Sequence, residues 1–174
     1  MSIKPKRDKQ TVTAQGEDLT KLPHGVSFKE VRTHVDDRGS LCEMFDPRWK
    51  WHKDPFFYTY IFTIRPGIIK GWGMHKAHED RYFLLSGEME VILYDDRKNS
   101  PTKGLVSKIY LTEKNRRLMN IPIGVWHADR NIGTTDVVVA NFPTIFYDHK
   151  SPDKFRLPLN TKKIPYKFDD PRGW

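Results

Sequence analysis

Cysteine is nearly absent from this 174-residue chain. Cys42 stands alone, so no internal disulfide can form, and a reducing, cytoplasmic setting is expected. Long hydrophobic runs are absent too. The densest apolar stretches, Tyr82–Leu85 and Val137–Ala140, have the length of strands, far below the roughly 18 residues of a membrane span. The first ten residues are polar and basic, without the apolar segment of a secretory signal. No phosphate-binding P-loop occurs. Gly71-Trp72-Gly73 supplies two glycines of a dinucleotide fingerprint, but Lys76 takes the place of the third and no helix is predicted to follow. Zinc-finger cysteines and an aromatic RNA-binding signature are missing as well, which argues against a nucleic-acid partner.

What is present is a globular composition. Hydrophobic residues make up 37% and aromatics 13%, too much for a disordered chain and enough for one core at this length. Thirty basic against 22 acidic side chains leave a charge of +8, which suits an anionic ligand without naming it. Part of the surplus is local: Lys4, Lys6, Arg7 and Lys9 crowd the start beside Pro5. Residues 1–22 are read as a flexible basic arm, a solvated tail or a strap on a partner subunit, and residues 23–174 as one domain.

From Gly25 onward, about ten short β-rich segments alternate with turn residues. They are Val26–Val35, Leu41–Phe45, Phe56–Ile64, Ile68–His75, Arg81–Leu85, Glu88–Asp95, Val106–Leu111, Arg117–Ile121, Trp126–Asn131 and Asp136–Phe142. Ser86-Gly87 reads as a tight hairpin turn. No window keeps a helical apolar period and no repeat is visible. The pattern predicts an all-β barrel rather than a βαβ sheet.

Reactive side chains concentrate in two stretches. One runs from Gly71 through His75, His78, Glu79 and Asp80 to Gly87; the other is Pro122-Ile-Gly124-Val-Trp-His127-Ala-Asp-Arg-Asn131. The spacing Pro-x-Gly-x-x-His-x-x-x-Asn puts a turn before a strand and aims the histidine into the barrel. It resembles the second motif of the cupin superfamily, with all four marker residues present. The first stretch resembles a degraded first motif: Asp80 stands at the acidic position, His75 at the second histidine and Gly73 at the first. The implied fold is the cupin jelly roll, a double-stranded β-helix.

Within the cupins the chain is similar to the dTDP-4-dehydrorhamnose 3,5-epimerases. Asp36-Asp37-Arg38-Gly39-Ser40-Leu41-Cys42-Glu43 resembles that family's entry strand. His75 stands where its Arg-Gly-Leu-His segment ends, and Asn115-Arg116-Arg117 leads into Ile121-Pro-x-Gly-x-x-His127 as its corresponding stretch does. The resemblance covers roughly Val26 to Tyr147. It implies proton abstraction beside the C4 ketone of a nucleotide-diphosphate 4-keto-6-deoxyhexose, without cofactor or metal, in a homodimer joined through the N-terminal strands. His75 maps onto the base. Arg38 and Glu43 map onto nucleotide contacts, and His127 onto a residue beside the phosphates.

The departures are specific. Counted back from Gly87, the family's enolate-steadying lysine becomes Asp80, and the loop after His75 is shorter. Counted on from His127, the proton-donating tyrosine becomes Asn141, or Ala140. Trp72 replaces a phosphate-binding arginine, and the aspartate that orients the histidine has no clear counterpart, although Asp169 or Asp170 lie in its region. Strand alternation puts Tyr82 on the face of Asp80, which offers a substitute acid. Lys70, His78, Arg81 and Asn141 are further candidates to hold the enolate or the diphosphate. Tyr60 shares the face of Tyr58 and Phe62 in an aromatic run otherwise read as core and subunit interface. Asp80 has three readings: orienting a histidine, pairing with Arg81, or joining His75 and His127 as a metal set. The favoured function is C3 epimerisation for deoxysugar or O-antigen synthesis. A non-catalytic nucleotide-sugar binder, a 3,4-ketoisomerase and a metal-dependent cupin are the alternatives.

Overall fold

The computed structural model of the chain describes residues 9–168. Among them are twelve strands, one 3-10 turn at Pro47–Trp49 and no α-helix. Numbered in chain order, β1 (Ser27–Glu30), β4 (Tyr60–Ile64), β6 (Asp80–Ser86), β9 (Arg117–Ile121) and β11 (Val137–Asn141) form one sheet, ordered β1-β9-β6-β11-β4. The second sheet runs β12-β5-β10-β7-β8 and comprises β5 (Ile69–Met74), β7 (Glu88–Asp95), β8 (Val106–Thr112), β10 (Val125–Asn131) and β12 (Phe155–Arg156). Neighbours in both sheets are antiparallel, and the sheets face each other as the predicted jelly roll.

Alternation along the strands fills the space between them. Tyr82 and Leu84 of β6 meet Met89, Val91 and Leu93 of β7, with Ile109, Leu111, Met119, Ile121, Val137 and Val139 around them, all buried. Each such aliphatic side chain contributes about 1.5–3 kcal/mol. The outer faces are covered as well, which explains the strand-long apolar runs. Ile69, Trp72 and Ile92 lie under Leu159, Ile164 and Phe168 of the C-terminal segment. Phe83, Leu118 and Ala140 lie under Phe45, Trp51 and Phe142.

Several expectations change. Ser86-Gly87 is a corner and not a hairpin: β6 and β7 belong to different sheets, so the chain crosses the barrel there. Gly87 has φ +91, and a Cβ would stand 3.0 Å from Asp136 O and from Val137 Cα. Val26–Val35 is also broken. β2 (Thr33–Asp36) leaves the barrel and pairs with β3 (Gly39–Cys42) in a separate two-stranded hairpin whose residues are mostly exposed. Only the second half of Phe56–Ile64 is strand, and β12 has no counterpart in the sequence reading. Of the expected arm, residues 1–8 lie outside the described residues. Further on, Val12 bridges Asp18, Leu19 N donates to Thr11 O at 2.9 Å, and Leu22 packs against the core.

Candidate active site

His75 follows the last residue of β5, Asp80 opens β6 and His127 lies on β10 opposite Gly73. The missing side chain at Gly73 makes room: a Cβ there would stand 3.4 Å from His127 Nε2. Three imidazoles surround the buried Asp80 carboxylate. His75 Nε2 lies 3.1 Å and His127 Nε2 3.7 Å from Oδ2, and His78 Nε2 lies 3.7 Å from Oδ1. Asn141 Nδ2 donates to Oδ1 at 2.7 Å and to the Tyr60 hydroxyl at 2.8 Å.

Burial alone would raise the Asp80 pKa, but the His75 hydrogen bond and charge outweigh it and hold the carboxyl well below its usual range. Burial pulls His75 down in turn, and Asp80 more than restores it, leaving a raised pKa. His78 is lowered by burial and by the charge of His75. His127 is pushed down to about 3 by burial, against the pull of Asp80, and stays neutral; its Nδ1 has no partner.

A loop segment that the sequence did not single out holds this cluster. The Asp153 carbonyl accepts from His75 Nδ1, which fixes the tautomer and leaves Nε2 facing Asp80. The Asp153 carboxylate takes His78 Nδ1 at 2.9 Å, Ala77 N at 2.7 Å and Lys76 N at 3.0 Å.

Two adjoining cavities share Tyr60 and Lys154. The larger, about 70 Å³, is bordered by Lys70, Asp80, Tyr82, His127, Asp129 and Arg156; the smaller, about 30 Å³, by His75, His78, Tyr58 and Tyr147. Asp129 is buried, and that burial, together with Asp80, pushes its pKa up to about 7. Its Oδ1 has no partner, and its Oδ2 accepts from the Tyr82 hydroxyl at 3.4 Å. Burial also lowers the pKa of Lys70 and of Lys154, the latter further through the charge of Arg156. Larger hollows lie beside Trp49–Pro55 (about 350 Å³) and Leu159–Phe168 (about 720 Å³).

The barrel therefore gathers His75, His78, Asp80, Tyr82, His127, Asn141 and Lys70 in one place. Arg81 is elsewhere. Strand alternation turns it to the opposite face, where its guanidinium donates to the carbonyls of Phe142 (2.6 Å), Asp54 (2.8 Å), Pro55 (3.1 Å) and Pro143 (3.2 Å). Its neighbourhood explains its sequence position as structural, and it does not pair with Asp80. Arg38 and Glu43 are exposed on and beside the β2–β3 hairpin, Arg38 paired with Asp36. Trp72 is buried under the C-terminal segment and not in the cavity. Asp169 and Asp170 lie outside the described residues. The sequence missed Asp129, Asp153, Lys154 and Arg156. Asp129 was findable, two residues beyond His127 on one strand; Asp153 and Lys154 carry no local signal. As to metal, donor atoms of His75, His78 and Asp80 lie within 4.8 Å of one another, so His78 joins the set in which the sequence had put His127.

A closed jelly roll with a buried histidine–carboxylate cluster at its internal cavity defines a cupin with a polar ligand site. Residues 34–155 match the family described as polysaccharide biosynthesis C-terminal domain, and the chain belongs to that family. It is 32% identical over 139 residues to a probable low-salt glycan biosynthesis epimerase of Haloferax volcanii, covering 79% of this chain and 88% of that one. It is 33% identical over 147 residues to a spore coat polysaccharide biosynthesis protein of Bacillus subtilis, covering 83% and 95%. Among solved structures, a dTDP sugar isomerase from Desulfovibrio desulfuricans superposes with a TM-score of 0.77 at 27% identity, over 84% of this chain and 94% of that one. A dTDP-6-deoxy-D-glucose-3,5-epimerase from Legionella pneumophila, solved with dTDP-4-keto-L-rhamnose, gives 0.73 at 20% identity over 86% and 82%, a likeness of fold. Among the described residues, no helix is long and apolar enough to cross a membrane.

Proposed function

We propose that the protein is a nucleotide-sugar epimerase that inverts C3 of a nucleotide-diphosphate 4-keto-6-deoxyhexose, supplying a deoxysugar for a surface polysaccharide. One observation carries the reading. His75 borders the smaller cavity and has its Nδ1 proton committed to the Asp153 carbonyl, so its second nitrogen, 3.1 Å from Asp80, is the one left to exchange a proton. Asp80 makes that nitrogen more basic, and in the fraction where Nε2 is unprotonated it takes the C3 hydrogen, activated by the neighbouring ketone. A second group returns a proton to the opposite face; the sequence offers Tyr82. Lys70, Arg156 and the neutral His127 border the larger cavity, and in this reading they hold the diphosphate. The β2–β3 hairpin extends from its own barrel, and in a cytoplasmic homodimer it would bring Arg38 and Glu43 to the partner's cavity.

The test is incubation with dTDP-4-keto-6-deoxyglucose in D₂O, followed by proton NMR. Loss of the C3 signal alone supports C3 epimerisation, and loss at C3 and C5 indicates the double epimerase. Binding without exchange would make the protein a sugar-nucleotide binder. Replacing His75 by Asn should abolish exchange while nucleotide affinity persists.

A second reading has its own support. His75 and His78 each have Nδ1 anchored on Asp153 while Nε2 lies near Asp80, the way ligating histidines are oriented by outer partners. His75, His78 and Asp80 would hold a divalent ion, with His127 beside them, and the ion would act as a Lewis acid on the ketone. One equivalent of metal in the purified protein, lost in His78→Ala, would favour it over a base role for His75.

A further inference from the structure

The chemistry proposed for this cavity needs two parts that the sequence does not supply in the expected places. Charge that develops on the C4 oxygen needs a cationic donor, yet the carboxylates of Asp80 and Asp129 border the cavity. Inversion also needs a proton source distinct from His75. Tyr82 is a weak candidate because its hydroxyl is directed to Asp129. We propose that Lys154 and Tyr60 complete the site, Lys154 as the cation that holds the enolate oxygen and Tyr60 as the proton donor. This rests on the epimerase reading and deepens it.

Placement is the argument. Tyr60 and Lys154 alone border both cavities, so they link the side of the site lined by His75 and His78 to the side lined by Asp80 and Asp129. Lys70 and Arg156 border only the larger one. Tyr60 comes from β4, paired directly with Asn141 of β11, and its hydroxyl accepts from the Asn141 amide at 2.8 Å. The position where a tyrosine was sought thus holds an amide that positions a tyrosine from the next strand. Lys154 comes from the segment entering β12. Asp153 before it is fixed by bonds to His75, His78, Lys76 and Ala77, and Phe155 and Arg156 after it pair with Met74 and Gly73. Its stem reaches the cavity floor, with Cε 3.9 Å from where a Gly73 Cβ would be. The charge of Lys154 acts on His75, His127, Asp80 and Asp129 together.

The steps balance without an oxidant. His75 Nε2 takes the C3 proton, the C–H pair becomes the C3–C4 double bond, and the carbonyl π pair moves to the C4 oxygen beside the Lys154 ammonium. On return, that pair re-forms the carbonyl, and C3 takes the Tyr60 hydroxyl proton on its other face. The proton on His75 reaches the Tyr60 oxygen through solvent, which resets the site.

The two roles separate in one experiment with dTDP-4-keto-6-deoxyglucose in D₂O. Tyr60→Phe should keep C3 exchange into unchanged substrate, by way of His75, while inversion falls about 100-fold or more. Lys154→Met should lower exchange and inversion together by about 10²–10³-fold, with dTDP affinity within about threefold and Lys154→Arg recovering part of the rate. Inversion that survives in Tyr60→Phe overturns the tyrosine assignment. Exchange that survives in Lys154→Met, or falls only in step with dTDP affinity, overturns the lysine assignment. A wild-type protein that binds dTDP yet exchanges nothing removes the epimerase reading itself, and this proposal with it.

Discussion

Asp129 offers the sharpest test of the site's electrostatics because its effect on stability changes with pH. Its carboxyl is buried beside Asp80, with one oxygen unpartnered, and its pKa rises from 3.8 to about 7 on folding. A raised carboxyl binds its proton more tightly in the folded chain. The contribution is therefore intact below about pH 4 and lost as pH climbs through 7, where folding must keep a charge out of water. At about 1.4 kcal/mol per unit, the raised pKa costs about 4 kcal/mol near pH 8, where folded Asp129 is ionised, and about 1.5 kcal/mol near pH 5, where folding must protonate it. Asn has the same shape and no charge. Asp129→Asn should therefore stabilise the protein by about 2–4 kcal/mol near pH 8, and clearly less near pH 5, the lost Tyr82 contact subtracting a little. Urea unfolding of both proteins at the two pH values measures it. Equal stability of variant and wild type near pH 8, or a gain independent of pH, would refute the claim that Asp129 is held in a low-dielectric wall against Asp80.

Two further predictions concern neighbouring groups. The rate of C3 exchange should fall with acid through a His75 pKa above 6.5, since the base must be unprotonated; Asp80→Asn removes the main raising influence, leaving burial and Lys154 against the Asp153 carbonyl bond, and should move that limb to lower pH. A pH–rate profile of the variant that superimposes on the wild type would contradict the pairing. Arg81→Met, which strands two buried and two part-buried carbonyls, should cost roughly 2–4 kcal/mol of stability by urea unfolding and leave dTDP affinity unchanged in the folded fraction. A loss of affinity without a loss of stability would return Arg81 to the ligand site.

The cavity was partly legible in the sequence. His75, Asp80 and His127 sit at fixed distances from turn glycines and prolines, and Tyr82 follows from the two-residue period of a strand, so local geometry was sufficient to bring them together. The same period read carefully would have removed Arg81, one residue out of phase with Asp80 and Tyr82. Tyr60 was visible only as a member of an aromatic run, since its role depends on which strand lies beside β11. The Ser86-Gly87 corner misled for a related reason: a glycine with positive φ serves a hairpin and a change of sheet equally well.

Composition, strand-length apolar segments and turn spacing by themselves determined that this is a β barrel, and the resemblance of its two motifs to those of the cupins implied histidines and a carboxylate in its interior, because those signals are local. Tertiary structure alone decided what surrounds them. Asp153 and Lys154 lie in a loop far along the chain, and long-range closure brings their carbonyl, carboxylate and ammonium to His75 and Asp80. No spacing rule reports which loop will fold over which strand, and burial, which sets the proton affinities of Asp129 and His127, exists only once that closure has excluded water.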